Sequence, residues 1–107
     1  MSIATGLEKG DIVYIYRVGY PTKNGNFSVI LPSKAMYTYS RPADYYGYFE
    51  FMEGKNKGKR AYPEEVCWCR TIEEAIEEFN RELDLRIEEE NKKHEKIVEK
   101  IEKYRIL

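Results

Sequence analysis

Residues 71–105 read TIEEAIEEFNRELDLRIEEENKKHEKIVEKIEKYR, a run that contains no glycine and no proline. Its apolar residues recur at steps of three and four or their sums, which is the spacing of one face of a helix. They are Ile72, Ile76, Phe79, Leu83, Ile87, Ile97, Ile101 and Tyr104, with His94 on the same stripe. The Thr71 hydroxyl and the Glu74 carboxylate have the spacing of a capping box, so the pattern predicts a helix that begins after Thr71.

The middle of this run is polar, and the charge changes sign there. Residues 72–90 carry nine acids against two arginines (net −7), whereas residues 91–105 carry six bases against three acids (net +3). A straight helix of 35 residues would extend about 52 Å at 1.5 Å per residue. Either its far half overhangs and pairs with a second copy, or the chain bends near residues 89–92 and folds back as a hairpin. We expect the overhang, because no glycine or proline marks a turn.

The overhang interpretation predicts a homodimer. In an antiparallel pair, the acidic half of one helix would lie beside the basic half of the other. The predicted oligomerisation residues are His94, Ile97, Ile101 and Tyr104. We therefore assign residues 71–107 to a C-terminal helix that packs on a sheet, with residues 91–107 as an oligomerisation or fold-back segment.

The preceding residues, 1–70, are typical of strands and turns. Ile12–Val18 is the strongest strand pattern, and both of its faces are largely apolar, so it should lie inside a sheet. Asn24 and Gly25 are the usual pair of a type I′ hairpin turn, and the strand that follows should end at Pro32. Residues 33–45 fit either a helical turn or a strand, with a turn at residues 41–44.

Three further segments complete the sheet. Residues 46–52 form a strand with Phe49 and Phe51 on one face, and Gly54–Gly58 is a hairpin tip with a glycine at each end. Residues 66–69 form a last short strand that leads into the helix. Consecutive hairpins followed by a helix predict the α+β class: a small antiparallel sheet or half-open barrel of four to five strands, then a long C-terminal helix or helix hairpin.

The opening Lys9-Gly10-Asp11-Ile12-Val13 resembles the first strand of SH3-like barrels, including KOW-type domains. This resemblance implies a curled sheet of the same kind, an SH3-like half-barrel.

Composition restricts the function classes. The formal net charge is −1, which gives no overall field toward nucleic acid or membrane, although residues 1–70 carry +3 and residues 71–107 carry −4. No stretch approaches the about 20 apolar residues of a membrane span, and residues 1–10 contain no run long enough for a signal peptide. We expect a cytoplasmic protein, in a cell or an infected host, with no membrane partner.

No motif indicates catalysis. Cys67 and Cys69 are two positions apart and should point to the same face of one strand, where they are poorly placed to form a disulfide with each other. A zinc site there would need two more ligands, for which His94 is the best candidate. We interpret both cysteines as small core residues. The glycines are spaced as turn markers and match no phosphate-binding loop. We expect no enzyme activity, no metal site and no cofactor.

The function that the sequence favours is binding to another protein, as an adaptor or inhibitor of the kind that phages and mobile elements encode. Tyrosines on the sheet and acids on one helix face are the candidate contacts, because aromatic residues are favoured interface anchors and a dense negative field can oppose a basic partner. These residues are Tyr37, Tyr39, Tyr46, Tyr48, Glu73, Glu74, Glu77, Glu78 and Glu82.

The alternative function is binding of single-stranded nucleic acid or RNA. Tyrosine rings stack on bases and cations attract phosphates, and the two residue types are interleaved along residues 34–62. The candidate residues for this function are Lys55, Lys57, Lys59, Arg60 and Tyr62.

Overall fold

The computed structural model describes residues 6–22, 26–39, 47–90 and 95–106. These ranges contain five strands followed by two helices, which confirms the α+β class. The elements are β1 (Ile12–Val18), β2 (Val29–Thr38), β3 (Tyr48–Phe51), β4 (Arg60–Ala61), β5 (Cys67–Cys69), α1 (Ile72–Glu90) and α2 (Glu95–Glu102). The turns predicted at Asn24-Gly25 and at residues 41–44 lie outside the described residues.

The five strands form one antiparallel sheet that does not close into a barrel. The strand order is β4-β3-β2-β1-β5, so the last strand pairs with the first. β1 is therefore an interior strand, as its two apolar faces predict. Its odd positions Val13 and Ile15 point to one core, and its even positions Tyr14 and Tyr16 point to a second core on the other face.

Pro32 does not end its strand, which corrects the sequence prediction. β2 continues through it for ten residues. The register shows why: Ile15 pairs with Ser33 and Arg17 pairs with Ile30, so two residues of β2 lie opposite Tyr16 alone. Pro32 is one of those two, in a β-bulge where the ladder needs no backbone N–H.

The first core lies on the sheet face away from the helices. Val13, Ile15, Ala35 and Phe49 are fully buried there. Residues 62–66 join β4 to β5, which are the two edges of the sheet, and they place Val66 in this core. The sheet is open, with β4 and β5 as its two edges, and this core lies against one of its faces.

The second core lies between the sheet and the helices. Ala75, Phe79 and Leu83 of α1 are fully buried in it, and the Phe79 ring meets the Tyr16 ring edge-on at 6.4 Å. Burial of an aromatic side chain of this size contributes about 1.5–3 kcal/mol. The predicted packing of the Ile72–Leu83 face on the sheet is confirmed at Ala75, Phe79 and Leu83.

α1 begins where the capping pattern predicts. The Glu74 N–H donates to the Thr71 hydroxyl oxygen (3.2 Å), and that hydroxyl donates to the Glu74 carboxylate (3.1 Å). The carboxylate thus bonds the Thr71 side chain, where a full capping box would have it accept the Thr71 backbone N–H.

The C-terminal segment folds back, so the expected overhang is wrong and the hairpin alternative holds. α2 contacts α1, and Ile101 is fully buried in the second core. The Asn80 side-chain amide donates to the Ile106 carbonyl (2.6 Å), and its oxygen accepts the Ile106 N–H (2.9 Å). The Tyr104 ring lies 5.8 Å from the Phe27 ring. These contacts between residues distant in sequence hold α2 and the residues after it in place.

Two of the predicted oligomerisation residues are therefore used inside the chain. Ile101 and Tyr104 pack within the second core and are not presented to a second copy. His94 and the side chain of Ile97 lie outside the described residues. Homodimer formation stays a prediction, without Ile101 as its contact.

Candidate functional site

The helices leave half of one sheet face uncovered. α1 contacts β1, β2 and β5, but among the described residues it contacts neither β3 nor β4. One row of residues in the uncovered part crosses four strands: Ile12 pairs with Met36, Met36 with Glu50, and Glu50 with Arg60. We call this surface the open sheet face and define it as Ile12, Lys34, Met36, Tyr48, Glu50, Met52, Arg60 and Tyr62.

A shallow depression of about 380 Å³ lies on this face. Its lining combines two methionine side chains with one residue of each charge: Met36, Glu50, Phe51, Met52, Lys57 and Gly58. Thioether side chains are unbranched and polarizable, so they adapt to groups of different shape. The site therefore suits an inserted apolar group better than a hydrated ion.

The hairpin between β3 and β4 forms one wall of the depression. Phe51 N–H donates to the Lys59 carbonyl (3.0 Å), and Gly58 N–H donates to the Phe51 carbonyl (2.9 Å). Gly58 has a φ of 86°, a backbone conformation that lets the chain turn back toward β4 and that would be strained for any residue with a side chain. These bonds hold Lys57 at the rim of the depression, and they confirm the predicted hairpin tip.

Aromatic and basic side chains meet beside the depression. The Arg60 guanidinium lies 4.3 Å from the centre of the Tyr48 ring, and the Tyr62 ring lies 6.5 Å from that of Tyr48. Such stacking orders an arginine at low cost and leaves its N–H groups available. Lys55, Lys57, Lys59 and Arg60 form no ion pair with any described residue, so their charges face solvent.

No protein-family model matches the chain, and comparison with curated proteins and with solved structures finds no match. The geometry of the chain itself must carry the functional argument. Within the described part of the chain, neither helix has the length and apolar character to cross a membrane.

The structure does not gather the predicted tyrosines onto one surface. Tyr37 is only 7% exposed and lies in the first core with Tyr39 packed against it, whereas Tyr48 lies on the opposite, open sheet face. The reason is the two-residue period of a strand, which puts neighbouring odd and even positions on different faces. Burial raises the pKa of the Tyr37 hydroxyl, consistent with a core position. Tyr46 lies outside the described residues.

The acids of α1 are largely occupied by neighbours. Arg81 pairs with Glu78 (3.0 Å) and Glu77 (3.7 Å), and Arg86 pairs with Glu82 (3.5 Å). Glu74 is engaged by the Thr71 cap. Glu73 is the member of the predicted acidic set that has no such partner among the described residues. The face is acidic and solvated, but exposed pairs of this kind contribute little to binding.

The two cysteines, predicted as small core residues, are partly buried on β5, which α1 contacts. Cys67 and Cys69 are free thiols packed against the second core. Burial raises the pKa of the Cys69 thiol, and the charges of Glu74 and Glu78 raise it further. A thiol that stays protonated is a poor nucleophile. The described residues also contain no group of three His, Cys, Asp or Glu side chains placed to share a metal ion.

Sequence reasoning missed the residues that make the depression. The sequence leaves Met36 in a segment that fits either a helical turn or a strand, and it places Glu50 and Met52 in a strand without assigning them a surface. In the structure each of the three lies next to a core residue and so belongs to the other face. Sequence reasoning also missed Arg86, which looks like a surface helix charge. Arg86 is only 6% exposed; its Nε donates to the Gly19 carbonyl (3.0 Å), and its guanidinium lies 3.8 Å from the Tyr20 ring centre.

Proposed function

We propose that this chain is a non-catalytic protein-binding module, an adaptor or inhibitor of the type that phages and mobile elements encode, and that it binds through the open sheet face. The observation that carries the proposal is the composition of that face. It combines tyrosine, methionine and arginine, the residues enriched at the centres of protein interfaces, around a depression that can take a side chain.

Rigidity of this face supports the proposal. β3 is hydrogen-bonded to β2 on one side and β4 on the other, so Tyr48, Glu50 and their neighbours are already ordered. A surface that is ordered before binding loses less conformational entropy on association. Ile12, Met52 and Tyr62 are 38%, 37% and 41% exposed, so apolar area remains to be buried by a partner.

The acidic face of α1 is a second contact region in this proposal. Glu73 and Glu77 are exposed members of this face and would meet basic residues of the partner. Such rim charges change the association rate and its salt dependence more than the affinity.

The experiment is affinity capture from an extract of the source cells, followed by mass spectrometry. The wild type is compared with Tyr62→Ala on the open sheet face and with Tyr20→Ala, a control in which an exposed tyrosine elsewhere is removed. We expect a protein that is captured by the wild type and by Tyr20→Ala but lost with Tyr62→Ala. Equal capture by all three chains would refute the open sheet face as the binding surface.

Nucleic-acid binding is the second candidate function, favoured by Arg60 on the Tyr48 ring, by the Tyr62 ring beside it and by three exposed lysines on the adjoining hairpin. It is tested by fluorescence anisotropy with labelled single-stranded and duplex oligonucleotides at low and physiological salt. Binding that weakens steeply with salt would place phosphate contacts at the hairpin. Absence of binding even at low salt would mean that Lys55, Lys57 and Lys59 either contact a protein partner or only keep the hairpin solvated.

A further inference from the structure

The depression and its surroundings differ in chemistry. Most of its lining is apolar, from the side chains of Met36 and Met52 and from Phe51, while its rim carries Lys57. The hairpin that forms the rim contains three lysines and Arg60 against one acid, Glu53, whose carboxylate accepts the Lys34 N–H at 3.3 Å. The surroundings of the apolar depression are therefore positive.

The one acid in the depression does not reverse this charge. Glu50 lies directly opposite Arg60 in the β3–β4 register, where opposite charges on facing strand positions attract. Glu50 and Arg60, both among the described residues, form no ion pair, but their opposite charges sum to zero, so the lysines at positions 55, 57 and 59 set the sign of the field at the rim.

We infer that the partner presents an acidic segment with one large apolar side chain, which enters the depression while flanking carboxylates meet Lys55, Lys57 and Lys59. This inference rests on the proposed function and specifies the partner's chemistry. The carboxylates on either side of the apolar residue would be attracted to the lysines, and the thioether side chains of Met36 and Met52 can adapt to leucine, methionine or phenylalanine.

A nucleic acid fits the same surface less well. α1 packs on the same side of the sheet as the open sheet face and carries a net charge of −7. A phosphate chain has a charge at every nucleotide, so its extension beyond the lysines is repelled, whereas a peptide can confine its acids to the rim. The polar edges of a base would also lie against thioethers.

The probes are fluorescent peptide pools built from Asp, Glu, Gly and Ser around one fixed central residue: leucine, methionine, phenylalanine or, as a control, alanine. We expect the pools with a large apolar centre to bind at least about tenfold more tightly than the alanine pool, because that side chain is buried on binding. The ¹³C-methyl NMR signals of Met36 and Met52 should shift in the same titration of the unaltered protein.

Charge reversal at the rim tests the flanks. Lys57→Glu should weaken binding of the acidic pools by on the order of tenfold. The matched control is Lys103→Glu, which makes the same charge change at an exposed residue after α2. We expect the control to bind within about twofold of the wild type.

The outcomes separate this inference from the proposed function. Equal binding of the alanine pool would overturn the apolar insertion. Equal binding of pools with Lys and Arg in place of Asp and Glu, if it still shifts the two methyl signals, would overturn the acidic flanks and leave the open sheet face as a protein-binding surface. If no peptide pool binds, but single-stranded oligonucleotides bind and Lys57→Glu abolishes that binding, both the inference and the proposed function fail, and nucleic-acid binding replaces them. If neither the peptide pools nor the oligonucleotides bind, the inference alone is overturned.

Discussion

Replacement of Ile101 by alanine tests the fold-back of α2 directly. The Ile101 side chain is fully buried with Phe79 and Leu83, although it belongs to the last helix. Loss of a buried isoleucine to alanine removes transfer energy and leaves a cavity, so Ile101→Ala should lower the free energy of unfolding by about 3 kcal/mol. For a domain of this size the melting midpoint should fall by on the order of 15 °C.

Urea and thermal unfolding measure this loss, and Leu85→Ala provides the control. Leu85 is 45% exposed on α1, so its removal should change stability by less than about 0.5 kcal/mol. The reasoning is refuted if Ile101→Ala melts like the wild type while light scattering shows that a dimer has become a monomer. In that case the far half of the helix would overhang, and Ile101 would belong to an interface between two copies.

Three further results are expected. Arg86→Lys should cost about 1–3 kcal/mol in urea unfolding, because lysine replaces neither the hydrogen bond to the Gly19 carbonyl nor the planar stacking; wild-type stability would show that the buried guanidinium is dispensable. Thr71→Ala should cost about 1 kcal/mol while Thr71→Ser retains most of the cap, and an unchanged melt for both would place the helix start elsewhere. The hydrogen bond from Arg105, and then its charge, lower the pKa of the Asp84 carboxyl, so the folded state gains stability above the ordinary carboxyl pKa and loses it as pH falls through the lowered value. Asp84→Asn should therefore flatten the decline in stability below about pH 4, and a curve that superimposes on the wild type would contradict this linkage.

Local patterns in the sequence were sufficient for the fold class, for the order of sheet before helix and for several of the elements. The apolar run Ile12–Val18, the glycines that frame residues 54–58 and the Thr71 cap each depend on neighbours in the chain, and the strand, the hairpin tip and the helix start that they predict are present in the structure. Features that depend on distant residues were missed. Pro32 looked like a strand end because a bulge is visible only when the partner strand is known.

The candidate surface was predictable in composition but not in place. The sequence indicated a mixture of tyrosine and basic residues, and Tyr48, Arg60 and Tyr62 do lie together. The face to which each tyrosine points depends on register, and the open sheet face remains uncovered because α1 contacts β1, β2 and β5 but not β3 or β4. The packing of the C-terminal segment on α1 likewise involves Asn80 and Ile106, which are 26 positions apart.

The pairing of the last strand with the first has a consequence for synthesis on the ribosome. Until residues 67–69 have left the exit tunnel, β1 has no neighbour on one side, and its backbone N–H and C=O groups there are open to any other strand. α1 follows β5 in the chain and packs on it, so the second core forms only after both have emerged. Cooperative folding must therefore wait until β5 and the helices have emerged. If synthesis is slow after residue 18, the open edge of β1 on one nascent chain can pair with a strand of another.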